Sequence, residues 1–108
     1  MKLILAIIQD EDAHEVITAL NEAKFQVTRL NTKGGFLRAG NTTLMTGVPA
    51  EKVDEALKII EANSKARTQH ATLPSAIGAM HGFLLAPIEV KVGGATVFVL
   101  DVEQFHKF

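Results

Sequence analysis

Cysteine, tryptophan and tyrosine are all missing from this chain of 108 residues. Without cysteine there is no disulfide framework, no thiol nucleophile and no thiolate zinc site. Phenylalanine, at 6 residues, is the only aromatic. That is a poor supply for an RNA-recognition sheet, which needs exposed rings on two central strands. Long hydrophobic runs are missing too. The longest near the start, residues 3–8, is far too short to span a bilayer, and no small-residue cleavage site follows it. A charge excess of one sign is also lacking: 11 basic residues against 12 acidic ones leave a formal net charge of −1, which counts against a polyanion such as DNA. What is present is 47% hydrophobic and 21% charged, enough for a core. The length fits one small domain over 1–108. The expectation is a soluble, cytoplasmic domain.

The near-zero net charge averages over opposite parts. No acid lies between Glu22 and Glu51, a stretch holding Lys24, Arg29, Lys33 and Arg38. None lies between Glu61 and Glu89, where Lys65, Arg67, His70 and His81 stand. The acids gather instead on 10–22 and 51–61. Two acid-free basic segments suit a small anion better than a polymer.

Residues 2–8 read as a buried strand, short and aliphatic. Over 11–23, Ala13, Val16, Ile17, Leu20 and Ala23 recur at helical spacing, and Asp10 or Asp12 suits the first turn as a cap. Phe25 and Val27 begin a strand running to about Thr32, broken by Gly34-Gly35. A third strand covers 41–48. Pro49 fits the first turn of a second helix whose buried face is Val53, Ala56, Leu57 and Ile60, ending at Asn63-Ser64. Residues 65–86 show no clean period. Ile88, Val90 and Val92 alternate with charged residues, Gly93-Gly94 signals a two-residue hairpin, and 95–100 is the returning strand. Residues 101–108 fit a short helical tail. The order β-α-β-β-α-β with one extra strand predicts an α+β, ferredoxin-like split β-α-β arrangement: an antiparallel sheet with both helices on one face. The other face then needs cover, which a second copy would supply.

No nucleophile–base set appears, and the four histidines lack metal-ligand spacing, so neither catalysis nor a metal site is expected. Residues 33–43 are more informative, though they form neither a Walker A loop nor GxGxxG. Gly34, Gly35 and Gly40 let backbone N–H groups approach an anion. Lys33 and Arg38 add charge, Phe36 can stack on a base, and Asn41 can donate and accept at an adenine edge. Thr28, Thr42, Thr43 and Thr46 offer hydroxyls, and Gly47 leaves room for a base. By themselves these residues leave open a nucleotide site and a plain glycine-rich turn lidded by Phe36.

The opening Met1-Lys2-Leu3-Ile4, Gln9-Asp10, the run from Gly34 to Thr43, Gly47-Val48, Val53-Asp54-Glu55, the closing run from Val92 to Leu100, and Phe105-His106 resemble the PII-like cyclic-di-AMP receptors of the PstA/DarA family. The resemblance covers nearly the whole chain, with 65–86 the poorly matched part. It implies a homotrimer that binds cyclic di-AMP in clefts between subunits. It also implies a signal receptor and not an enzyme, with loops at 33–40 and 65–86 that order when ligand or an unknown downstream protein arrives. Carried over, Phe36 stacks on an adenine with Leu37 beside it. Asn41 and the backbone of Gly47 read the adenine edge, Thr28 and Gly35 hold phosphate, and Phe98 lines the cleft. Three site positions differ: Lys24 stands for a familiar asparagine, Gln26 for an arginine and Lys107 for a glutamine. These differences keep a second reading open, a PII-like regulator that takes ATP, ADP or another small anion in the same cleft.

Overall fold

The computed structural model describes residues 1–30, 40–71 and 88–108, with side-chain surroundings for 1–30, 40–68 and 92–108. Alternation in the first strand, β1 (Lys2–Gln9), organises the rest. Ile4, Ala6 and Ile8 are buried, while Leu3, Leu5 and Ile7 on the opposite face are only half-buried. Helix α1 (Asp10–Glu22) adds Ala13, Val16 and Leu20 to the core. Strand β2 is Thr28–Leu30, and β3 (Asn41–Val48) contributes Leu44 and Val48. Pro49 precedes a 3-10 turn (Ala50–Lys52) that opens into α2 (Val53–Ser64), which buries Ala56 and Ile60. Each large aliphatic so buried contributes roughly 1.5–3 kcal/mol. After β4 (Arg67–Ala71) and β5 (Ile88–Val92), β6 (Ala95–Asp101) completes a four-stranded sheet in the order β2-β3-β1-β6. All its pairings are antiparallel. Both helices cover the Ile4–Ala6–Ile8 face, giving the expected α+β layers.

Several expectations need correction. The fourth strand of the split β-α-β plan is β6, not 88–92: β5 pairs with β4 as a separate two-stranded sheet, so Gly93-Gly94 is no hairpin between β5 and β6. Instead the chain changes sheets there, with φ of +79° and +99°. Residues 67–71, expected to be irregular, form β4 because β5 offers them a partner. The second strand begins at Thr28 rather than Phe25. Helix α1 ends with Lys24 in the left-handed region (φ +72°). The Phe25 N–H donates back to the Leu20 carbonyl at 2.9 Å and that of Lys24 to Asn21 at 3.0 Å, the paired bonds of a Schellman ending. Phe25 then turns inward against the core. Residues 102–108 are not helical; the Val102 N–H donates to the Met1 carbonyl, prolonging the β1–β6 edge. A tail this short cannot offset the cost of helix nucleation without packing.

Neither Asp10 nor Asp12 caps α1 as expected. The N-cap is Gln9, without a side-chain cap bond. Asp10 accepts the Thr42 hydroxyl instead. Asp12, buried at 4% side-chain exposure, receives Arg67 Nη2 at 2.8 Å and Nη1 at 3.4 Å. That hydrogen bond raises the Arg67 pKa above its ordinary value, so the guanidinium stays charged. Arg67 opens β4, so this fork ties the β4–β5 arm to α1.

Lys2 and Asp101 are cross-strand partners that form an exposed ion pair. The hydrogen bond from Lys2, then its charge, lowers the Asp101 pKa. A depressed carboxylate stabilises above its unfolded pKa, and that contribution disappears as pH falls through the folded value. Asp101→Asn should therefore lower the melting temperature slightly at pH 7, and the gap to the parent should close as the pH falls through the folded carboxylate's lowered pKa. A gap that persists below that value would show that the pair does not set the difference.

Candidate functional site

The sheet face away from the helices carries Thr28, Asn41, Gly47 and Phe98 of the residues named from sequence. In β1, β3 and β6 it presents Leu3, Leu5 and Ile7, then Gly47, Met45 and Thr43, then Leu100, Phe98 and Thr96, in register. Phe98 and Leu100 are each 44% exposed, so this face is an uncovered apolar surface. Thr28, Met45, Leu5 and Phe98 form one row across all four strands. Thr28 and Phe98 end that row on opposite edges, roughly 14 Å apart at the usual strand spacing.

One corner of this face holds a cavity of about 330 Å³ lined by Lys24, Gln26, Gly47, Pro49 and Lys52. Three of the residues singled out from sequence meet here, and Thr28 follows two residues after Gln26 on the edge strand. Both lysines are exposed, so the lining is cationic, and Lys52 lies beyond the sequence-stretch singled out earlier. Gly47 is the informative member. A glycine inside a strand weakens it, yet a Cβ here would meet only the Met1 sulfur, at an ordinary 3.6 Å. Among the described residues, the chain's own packing does not require glycine at this position.

The opposite end of the face holds a second cavity, of about 370 Å³, lined by Ile7, Gln9, Asn41, Gly93, Gly94 and Thr96. Asn41 and Gln9 are direct cross-strand partners. Among the described residues the Asn41 carboxamide has no hydrogen-bond partner. The Gln9 carboxamide does: its Oε1 accepts the Gly93 N–H at 2.8 Å. Asn41 and Gly47 are six residues apart on β3, roughly 20 Å at the rise of a strand. Within one chain they therefore sit at opposite ends of β3.

The four threonines separate by face. Thr42 and Thr46 point to the helix side and are committed, Thr42 to Asp10 and Thr46 to the Gln26 carbonyl at 2.6 Å. Thr28 and Thr43 are on the open face; the buried Thr43 hydroxyl has no partner among the described residues. Gly35, Phe36 and Leu37 lie outside the described residues. Lys107 is exposed in the tail, next to the stacked rings of His106 and Phe108. Gln9 escaped the sequence reading as a site residue, although the alternation Leu3, Leu5, Ile7, Gln9 puts it on the open face. Among the described residues no group of three or more His, Asp or Glu could hold a metal ion, and no helix is long and apolar enough to cross a membrane.

Comparison with known proteins adds two findings. The family model described as cyclic-di-AMP receptor matches residues 1–108. The crystal structure of a functionally unknown protein from Pediococcus pentosaceus superposes with a TM-score of 0.79 at 43% identity, covering 99% of this chain and 96% of that one.

Proposed function

The chain belongs to the cyclic-di-AMP receptor family, and from that premise we propose that it binds cyclic di-AMP in clefts between the subunits of a homotrimer. The observation that carries this reading is the separation of Thr28 and Phe98 onto opposite edges of one sheet. A small ligand reaches both only where the β6 edge of one copy lies near the β2 edge of another. The uncovered apolar face, with Phe98 and Leu100 each 44% exposed, supports burial against further copies. Gly47, where among the described residues a Cβ would meet only the Met1 sulfur at an ordinary distance, supports close approach of a ligand to β3.

In this reading Thr28 and Gly35 hold phosphate, Phe36 stacks on a base with Leu37 beside it, Asn41 reads an adenine edge, and Gln26 and Gly47 wall the cationic corner. The protein is a receptor and not an enzyme, and acts in the cytoplasm. Ligand changes the segments 33–40 and 65–86, and a downstream protein reads that change. The cationic corner keeps a second reading in play, in which ATP, ADP or another small anion is the ligand, because Lys24 and Lys52 attract any phosphate.

Calorimetric titration of the purified protein decides between them. Cyclic di-AMP should bind with a dissociation constant in the micromolar range or below, and a tenfold excess of ATP should not displace it. Displacement by ATP would favour the second reading, and no heat with either nucleotide would overturn both.

A further inference from the structure

The cavity at the Asn41 end contains a polar group whose orientation is fixed by the backbone. Gln9 Oε1 accepts the Gly93 N–H at 2.8 Å. A backbone N–H is only a donor, so the acceptor must be the amide oxygen, which sets the flip of the carboxamide. Gly93 itself is held. Its left-handed φ is +79°, and the Arg67 guanidinium and Lys65 carbonyl stand where a side chain would begin. With Oε1 engaged, the Gln9 NH2 group is left to donate into the cavity that Gln9 shares with its strand partner Asn41.

The geometry points to Gln9 as a specificity-determining residue that selects adenine over guanine by donating to the base's ring nitrogen. This inference rests on the reading that Asn41 meets an adenine edge. Asn41, whose carboxamide has no partner among the described residues, can accept from the exocyclic amino group, while Gln9 presents a donor held by Gly93. Adenine offers an unprotonated ring nitrogen beside its amino group and accepts that donor. Guanine carries a hydrogen on the corresponding nitrogen, so two donors would face each other, and a buried polar group left unpaired costs more than a missing contact. Gln9 therefore acts on base identity, whereas the basic residues of the chain act on the phosphates, which the two cyclic dinucleotides share.

Gln9→Glu isolates this role. The carboxylate still accepts the Gly93 N–H, so the fold and the arm base should persist with an unchanged melting temperature. Its added negative charge repels cyclic di-AMP and cyclic di-GMP alike, since both carry two phosphates. The affinity ratio between them therefore reports base reading alone. We expect the preference for cyclic di-AMP to fall by at least about tenfold. Gln9→Met removes the donor without adding charge, so it keeps the test valid should the glutamate variant fold poorly, and it too should lower the ratio. A wild-type ratio in either folded variant would overturn the inference while leaving the receptor reading intact. Failure of the parent protein to bind cyclic di-AMP would overturn both.

Discussion

Replacing Gly93 with alanine should destabilise the protein by about 2–5 kcal/mol. A left-handed conformation costs an alanine roughly 1–2 kcal/mol, and forcing a methyl into a filled site adds roughly 1–3 kcal/mol. At Gly93 both apply. Its φ is +79°, and a Cβ there would stand 2.5 Å from Arg67 Nη1 and 2.7 Å from the Lys65 carbonyl oxygen. The guanidinium could move aside only by loosening its fork on buried Asp12, and the carbonyl is backbone. Gly40 is the matched control. Its φ is +94°, but among the described residues nothing lies within 4 Å of its missing Cβ, so Gly40→Ala should carry the conformational cost alone. Thermal melts at one fixed protein concentration should place Gly93→Ala at least about 8 °C below the parent, with Gly40→Ala between them. Equal shifts for the two variants would mean that the crowding around Gly93 is relieved at no cost.

Gly47→Ala should separate binding from folding. Gly→Ala at an unstrained site stabilises by about 0.4–1 kcal/mol through the unfolded chain, and the 3.6 Å contact with the Met1 sulfur is ordinary. The melting temperature should therefore hold or rise. The same methyl projects from the open face at the cationic corner, where a ligand approaching the backbone would meet it. Intrusion on a fitted contact of this kind costs roughly 1–3 kcal/mol, or about 5- to 150-fold in dissociation constant. Calorimetry with cyclic di-AMP reads the effect directly. An alanine variant that binds as tightly as the parent would remove Gly47 from the ligand's path.

Much of this was legible from sequence, and where legibility ended has physical reasons. Both helices follow from periodicity, because each buries one face and the pattern records which, whereas the strands at 2–8 and 41–48 follow from short runs rich in aliphatic residues or threonine. The closing strands were misjudged because Ile88–Val92 and Ala95–Asp101 look like a hairpin whichever partners they choose. Local pattern cannot tell pairing with each other from pairing with β4 and β1. β4 itself carries a charged and polar sequence, Arg67-Thr-Gln-His-Ala71, that needs its neighbour to be a strand. The roles of Asp10 and Asp12 illustrate the same limit. Both suit a helix cap, but Thr42 and Arg67, distant in sequence, compete for them in space. For the site, residue type offers Asn41 and Gly47 as candidates, while their placement at opposite ends of β3 depends on strand spacing. Gln9 reads from sequence as the end of a strand, because the Gly93 N–H that meets its amide lies 84 residues away in the chain.

The row from Thr28 to Phe98 has a consequence for heredity. If each ligand site draws one edge from each of two copies, a lesion is not confined to the copy that carries it. In a three-membered ring, one subunit altered at the β2 edge spoils one site, and so does one altered at the β6 edge. A subunit altered at both spoils two of the three. In a cell carrying a normal and a damaged allele, damage on both edges would therefore behave as more dominant than damage on either. Two alleles damaged on different edges would still rebuild a sound site wherever their good edges meet.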